Sequence, residues 1–194
     1  MTPPTIRSSR LQLDAVVPSD ASTVLEYCVD EELQRWVPLP VPYTLSDAEY
    51  FTGTYAASAG STFALWAIRL AAGGSPGAQL RAPLLGAIEL RFEPLGSATV
   101  GFWLGKPHRG QGIMTEALAT IIDYAFDPQG YDLSRLHWEA VAGNWASAIV
   151  ARRNGFTYEG MQRQSLVHRE SRVDSWQASL LRGDPDTFAE GWPL

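Results

Sequence analysis

The stretch Gly101-Phe102-Trp103-Leu104-Gly105-Lys106-Pro107-His108-Arg109-Gly110-Gln111-Gly112-Ile113-Met114-Thr115-Glu116-Ala117-Leu118 has the residue types that can hold an anion beside a reacting group. An apolar strand-like run, Ala98 to Leu104, passes through glycines into a segment whose apolar positions Met114, Ala117, Leu118, Ile121, Ile122 and Ala125 share one helical face ending near Phe126. Glycines at 110 and 112 let the backbone turn sharply and point successive N–H groups outward. The first helical turn leaves its own amides unpaired and puts a partial positive charge at the same place. Such a nest binds pyrophosphate or another oxyanion. No Gly-Lys-Ser/Thr follows and the third glycine of G-x-G-x-x-G is missing, so neither a P-loop nor a dinucleotide fingerprint fits. Taken without their surroundings, the two glycines equally fit a plain strand-to-helix turn.

Three further residues could move a proton. Glu89 and Glu139 lie inside strand-like runs, Leu84 to Phe92 and Leu136 to Val141, and His168 carries an imidazole with an ordinary pKa of about 6.5. Read singly, the two carboxylates also fit the wet face of a strand and the histidine a surface position. Asn144 heads a short helical stretch to Arg153 that Asn154-Gly155 closes, a position suited to an N-cap; Ser147 falls in its first turn. The single cysteine, Cys28, lies on an apolar face with nothing basic arranged to activate it, and no Cys/His pair stands at metal-ligand spacing. No metal is expected.

The elements that must position these groups follow from periodicity. Arg10 to Leu13 alternates as a strand, and Ala21 to Trp36 reads as one helix through Val24, Leu25, Cys28, Val29, Leu33 and Trp36. Pro38 to Pro42 forms a stiff extended loop, flanked by Trp36 and Tyr43, which fit core packing or the wall of an acceptor pocket. Ser46 with Glu49 reads as a capping box opening a second helix toward Tyr55. Phe63 to Leu70 and Leu84 to Phe92 form a pair of strands around a small-residue loop at about 71–83, expected to be flexible. After Asp127-Pro128-Gln129-Gly130 come the Leu136 strand, the Asn144 helix, and a weak alternation through Val167 and Val173 to Leu181. Alternating strands and helices flanked by hairpin-like stretches imply a mixed α/β (α+β) sheet with helices packed on its faces, in one domain over residues 1–194.

Composition narrows the function. The 194 residues are 45% hydrophobic and 19% charged, with 15 basic against 21 acidic side chains and a net charge of −6. That length can bury an ordinary core without disulfides or structural zinc. The acidic balance and the lack of a Lys/Arg cluster argue against direct binding of nucleic acid. No signal-peptide-like start and no long apolar run argue against export or a membrane partner, and the lone cysteine fits a cytoplasmic location.

The glycine segment resembles the cofactor motif of the GNAT superfamily of acetyl-CoA-dependent N-acetyltransferases, Arg/Gln-x-x-Gly-x-Gly/Ala, at Arg109, Gly112 and Met114; methionine stands where a small residue is usual. The opening Arg10-Leu11-Gln12-Leu13 agrees, as do Trp36-Val37-Pro38-Leu39-Pro40, Thr115-Glu116-Ala117-Leu118, and Asn144-Trp145-Ala146-Ser147 leading to Ala151-Arg152-Arg153-Asn154-Gly155-Phe156. Together these are similar to the RimJ/RimL-type ribosomal-protein N-terminal acetyltransferase branch over nearly the whole length. The resemblance implies the GNAT fold, a mixed and mostly antiparallel central sheet with a V-shaped split between central strands and helices on both faces. It also implies acetyl-CoA as cosubstrate, with its pyrophosphate on the amides of Arg109, Gly110, Gln111, Gly112, Ile113, Met114 and Thr115. The pantetheine arm would lie along the backbone of Phe102, Trp103 and Leu104 and touch Asn144, with Arg153 near a phosphate. Ser147 would protonate the leaving thiolate.

Such chemistry is direct attack of a primary amine on the thioester, through a tetrahedral intermediate and without an acetyl-enzyme. Some ribosomal-protein members place a carboxylate where this chain reads Gln164-Ser165-Leu166-Val167-His168, so the base is left among Glu139, Glu89 and His168. The resemblance points to a protein or peptide N-terminus as acceptor and to a homodimer. The alternatives are a small-molecule transferase acting on an amino sugar, polyamine or antibiotic, and a protein that binds or senses acyl-CoA without turnover.

Overall fold

Apolar and alternating runs bounded by glycine, proline and aspartate form strands in the computed structural model, which describes residues 2–71, 81–185, 187 and 190–193. They are β1 (Ile6–Arg7), β2 (Leu11–Ala15), β3 (Phe63–Leu70), β4 (Gly86–Glu93), β5 (Ser97–Leu104), β6 (Arg135–Val141), β7 (Thr157–His168) and β8 (Ser171–Leu181). Among the described residues they form one eight-stranded sheet in the order β1-β2-β3-β4-β5-β6-β8-β7. Pairing is antiparallel for β1 with β2, β2 with β3, β6 with β8 and β7 with β8, and parallel for β5 with β6. The helices are α1 (Ala21–Cys28), α2 (Glu31–Trp36), α3 (Leu45–Glu49), α4 (Ile113–Phe126) and α5 (Trp145–Arg153). The mixed, mostly antiparallel α/β class is the expected one. Most of the loop expected at about 71–83, residues 72–80, lies outside the described residues.

Two local expectations are corrected. The apolar period across Ala21–Trp36 is not one helix, because Asp30 takes an extended conformation (ψ 121°) and its carboxylate accepts from the Leu33 amide, starting α2 afresh. The second helix is capped not by Ser46 and Glu49 but two residues earlier. The Thr44 hydroxyl accepts from the Asp47 amide, and the Asp47 carboxylate accepts from the Thr44 amide at 2.8 Å. The helix then loosens into a π-helical stretch, Tyr50–Tyr55.

The chain divides into two compact units, Met1–Glu89 with Phe102–Thr120, and Leu90–Gly101 with Ile121–Leu194. The first packs Val24, Cys28, Leu33, Tyr43, Leu65 and Ala87 into one apolar cluster, so Tyr43 is a core residue; burial pushes the Cys28 thiol up to about 12 and leaves it inert. Within it lies a charge cluster. Arg69 on β3 is 1% exposed; its Nε donates to Asp14 Oδ1 at 2.8 Å, and Nη1 and Nη2 donate to the two oxygens of Asp20 at 3.0 and 2.7 Å. A further bond from Nη1 to the Ala82 carbonyl completes the fork.

The second unit is built on the long β7/β8 hairpin, with β6 paired to β8 from Arg135↔Leu181 to Val141↔Ser175. Along β6, Leu136, Trp138 and Ala140 are buried while Arg135, His137 and Glu139 alternate onto the other face. Trp138 packs against Trp192, whose indole N–H donates to the Phe156 carbonyl at 3.0 Å. Among the described residues no helix is long and apolar enough to cross a membrane, and no group of three His, Cys, Asp or Glu residues could hold a metal ion.

Replacing Arg69 with Met should leave the Asp14 and Asp20 carboxylates buried without a counter-charge, and should lower unfolding stability by about 3–5 kcal/mol. Urea denaturation measures this directly, and an unchanged midpoint would show that the cluster is not holding β2, β3 and the Asp20 turn together.

Candidate active site

The C-terminal part of β5 leads to the expected nest. Gly86 at the start of β4 sits so close to β5 that a Cβ there would lie 2.2 Å from the Trp103 carbonyl oxygen, and the Gly105 amide donates to the Leu85 carbonyl at 2.9 Å. β5 therefore stays with β4 to its last residue. Beyond it, Lys106–His108 makes a single 3-10 turn, and Gly110 and Gly112 take φ of +73° and +74°, where a side chain would be strained. The first amide of the following turn with a backbone acceptor is that of Glu116, to the Gly112 carbonyl at 3.0 Å. Among the described residues no acceptor faces the amides of Gly110, Gln111, Gly112, Ile113, Met114 or Thr115. Their N–H groups and the start of the 14-residue helix α4 form a site for negative charge. The Met114 side chain is 6% exposed, so the thioether is buried and does not cover the amides.

Arg109 is engaged with the chain itself. Its amide turns back to the Lys106 carbonyl at 3.4 Å, so the open run begins at Gly110. Its side chain donates from Nε to the Leu104 carbonyl at 3.0 Å, and Nη2 lies 2.7 Å from Asp30 Oδ2, without hydrogen-bond alignment. Arg109 braces the loop against the start of α2.

A second brace was not foreseen. One oxygen of Glu116, in the first turn of α4, accepts from the Ser8 hydroxyl (2.6 Å), the Ser9 hydroxyl (3.1 Å) and the Arg10 amide (3.0 Å), while the other accepts from Arg10 Nε (2.6 Å). Burial, which raises a carboxyl pKa, is outweighed by these donors, and Glu116 is held at about 2. Arg10 Nη1 also donates to the Gln111 carbonyl at 3.4 Å, and Nη2 lies 3.6 Å from where a Gly112 Cβ would be. A permanent cation thus stands beside the nest. The sequence signal was present in Arg10 and Glu116, but nothing local joined residues so far apart along the chain.

Also in the first unit, Glu89 is 8% exposed and its Oε2 accepts from the Tyr55 hydroxyl at 2.6 Å. Tyr55 stacks on Phe63, and Phe51 packs between Tyr55 and Trp103 at ring distances of 5.9 and 6.3 Å. Phe102 and Trp103 are half-buried and Leu104 buried at the end of β5.

In the second unit, the parallel register of β5 on β6 runs from Ser97↔Arg135 to Val100↔Trp138 and stops there, although β6 continues on β8 to Val141. Glu139 is the first β6 residue beyond that point. At Gly101, its counterpart on β5, no atom lies within 4 Å of where a Cβ would be. Trp138, on the opposite face, donates its indole N–H to Ser147 Oγ at 3.0 Å. Asn144 caps α5, its Oδ1 accepting from the Ser147 amide at 3.2 Å. Ser147 therefore sits directly behind the end of the parallel pairing, with a lone pair occupied and its own proton available. Arg153 is exposed in the last turn of α5.

On the Glu139 face runs a polar chain absent from the sequence reading. Gln177 Nε2 donates to Glu139 Oε1 and to Ser175 Oγ, both at 2.6 Å, and Gln177 Oε1 meets His137 Nε2. His137 Nδ1 lies 3.2 Å from Thr99 Oγ1, which donates to Glu93 at 2.6 Å. His168 is not part of this group. It pairs with Ser171, six positions along β8 from Gln177 and hence roughly 20 Å away.

Residues 10–157 match the acetyltransferase (GNAT) domain family, and the chain belongs to it. The ribosomal-protein-serine acetyltransferase of Escherichia coli (strain K12) is 39% identical over 84 residues, which is 42% of this chain and 46% of that protein. The chain spans about half the length of the curated relatives it matches. Among solved structures, a GNAT-family acetyltransferase from Bacillus anthracis superposes with a TM-score of 0.78 at 19% identity, covering 92% of this chain and 98% of that one. RimL, a ribosomal L7/L12 α-N-protein acetyltransferase in complex with coenzyme A, does so with 0.75 at 22%, over 92% and 98%.

The Glu116 clamp has a pH signature. Its folded pKa is below its ordinary value of 4.5, so its stabilising contribution is complete above that value and is lost as pH falls toward about 2. On the order of 3 kcal/mol should disappear across this window in the native protein. Glu116→Gln should already lack it at neutral pH, and unfolding curves of the two proteins measured at successive pH values should converge in acid. Parallel curves would exclude Glu116 as an ionised anchor.

Proposed function

We propose that this protein transfers acetyl from acetyl-CoA to a primary amine, the acceptor being a protein or peptide N-terminus, and that residues 1–194 act as one acetyltransferase domain in the cytoplasm, as a homodimer. The observation that carries the reading is the run of open amides from Gly110 to Thr115 at the head of α4. A diphosphate matches it in charge and in number of acceptor oxygens, and the Arg10 guanidinium adds positive charge beside it. The backbone of Phe102, Trp103 and Leu104 and the side-chain amide of Asn144 are assigned to the pantetheine arm, and Arg153 to a phosphate. The name of the Escherichia coli relative and the coenzyme A held by RimL support this reading.

The reaction asks little more of the protein. The amine must give up a proton, its nitrogen must bond to the thioester carbon, the C–S bond must break, and the thiolate must take up a proton. We assign the first proton to Glu139, directly or through a water, and the last to the hydroxyl of Ser147. The Trp138 N–H occupies an acceptor site on Ser147 Oγ and leaves its O–H to be donated. Glu89 is less suited to proton removal, since it is 8% exposed and already bonded to Tyr55, and His168 lies far along the hairpin from Glu139.

The test is thiol release from acetyl-CoA over a panel of peptides with different N-terminal residues, small amines and aminoglycosides. Release that depends on peptides is expected; release with aminoglycosides or polyamines alone would move the acceptor to small molecules, and none with any acceptor would favour acyl-CoA binding without turnover. Gly112→Trp should fill the nest and abolish acetyl-CoA binding in calorimetry, and unchanged binding would sink the assignment of the amides. Ser147→Ala should lower kcat by about tenfold or more with little change in acetyl-CoA affinity. An unaltered kcat would place the acid elsewhere.

A further inference from the structure

The polar chain on the β6 face has one consistent direction of hydrogen bonding, and it determines the state of a histidine that the proposed reaction does not use. Glu93 is charged, the Thr99 hydroxyl bond foremost in holding its carboxyl below the usual range. Thr99 spends its only proton on Glu93, so Thr99 Oγ1 can only accept from His137 Nδ1. At the other end, Gln177 Nε2 gives its two protons to Glu139 and Ser175, so the Gln177 Oε1 that faces His137 can only accept from Nε2. The Nε2 of His137 is therefore the donor to Gln177 Oε1, and the ring lies between the carboxylates of Glu93 and Glu139 with one neutral group interposed on each side.

Among the described residues, the groups around it include Glu93 from β4, Thr99 from β5, Gln177 and Ser179 from β8, and Arg135 and Glu139 from its own strand, with Glu159 of β7 taken up by Ser179 (2.5 Å) and Arg135 (3.4 Å). Arg135 is thus turned toward Glu159.

We propose that His137 is a positioning residue: by donating to Gln177 Oε1 it fixes that amide so that Nε2 points at Glu139, and so holds the Glu139 carboxylate at the end of the β5–β6 pairing, oriented to receive the proton of the acceptor amine. The inference rests on the reading of Glu139 as proton acceptor. An amide free to turn over would present its oxygen to Glu139, and two acceptors would repel each other at hydrogen-bond distance. With His137 Nε2–H donated to Gln177 Oε1 that flip is closed, because the oxygen already has its donor.

Nitrogen NMR of the His137 ring and steady-state kinetics test it together. Nε2, the nitrogen facing Gln177, should show a bound proton. His137→Leu should lower kcat about tenfold, less than the roughly hundredfold expected for Glu139→Gln. Acetyl-CoA affinity by calorimetry should stay unchanged in both, which also reports that the variants fold. His137→Gln, whose amide keeps an N–H for Gln177, should recover most of the lost kcat. A ring whose Nε2 carries no proton, or a His137→Leu protein with full kcat while Glu139→Gln is impaired, would overturn the inference and leave the base assignment standing. Full activity in Glu139→Gln would remove the base assignment, and this inference with it.

Discussion

Only the pairs from Ser97 with Arg135 to Val100 with Trp138 join β5 to β6, and Glu139 and the Trp138–Ser147 contact lie at or just beyond the end of that short parallel ladder. Parallel strands seldom end their pairing early without competition for their edges. Here both have another neighbour to the end. β5 is kept on β4 by the close approach that Gly86 permits and by the Gly105–Leu85 hydrogen bond, and β6 is kept on β8 to Val141. A side chain at position 86 would push on the Trp103 carbonyl and disturb the course of β5, so a residue with no functional group governs where the strand goes.

The second constraint is electrostatic. A run of amides without acceptors, at the positive end of a 14-residue helix and with a guanidinium close by, is costly to hold in the absence of an anion. The fold meets that cost with carboxylates placed behind the nest rather than in it. Glu116 fastens Arg10 and the Ser8–Ser9 turn to the first helical turn, and Asp30 fastens Arg109 and the preceding loop. Both acids neutralise the cations on their far side and leave the amide surface open. The family motif is therefore held by partners, Ser8, Ser9, Arg10 and Asp30, that lie far from it in sequence.

This distance explains which parts were legible beforehand. The nest, α4 and the Asn144 cap were readable because glycine, helical period and capping residues act over a few positions. The break at Asp30 was hidden because the apolar period continues across it on both sides, and the periodic signal outweighed a single capping aspartate. The cap at Thr44 was misplaced by two residues because Ser46 and Glu49 satisfy the same pattern as Thr44 and Asp47. Arg69 is one polar residue in an apolar strand, and its partners Asp14, on β2, and Asp20, in the turn after it, are far from it along the chain. The chain from Glu93 to Ser175 was beyond local reading for the same reason: it crosses β5, β6 and β8, and a slip of one residue in either pairing would scatter it to both faces.

The alternation of β6 gives that register its functional meaning. Neighbouring residues on a strand must point to opposite faces, so Glu139 and Trp138 cannot share one, and Ser147, bonded to the Trp138 indole, is committed to the face away from Glu139. A reaction that takes a proton from one substrate and returns one to the other can use a base and an acid on separate faces, each beside its own substrate. On the proposed reading, the acceptor amine and the departing thiol occupy opposite sides of the sheet, and the acyl group must lie where a sheet offers passage between its faces. An intact ladder offers none, because its strands are only about 4.8 Å apart and bonded along their length. The early end of the β5–β6 pairing supplies such a place beside the residues to which the two proton transfers are assigned. The strand period, and not any special reactivity of Glu139 or Ser147, then sets the stereochemistry of the site.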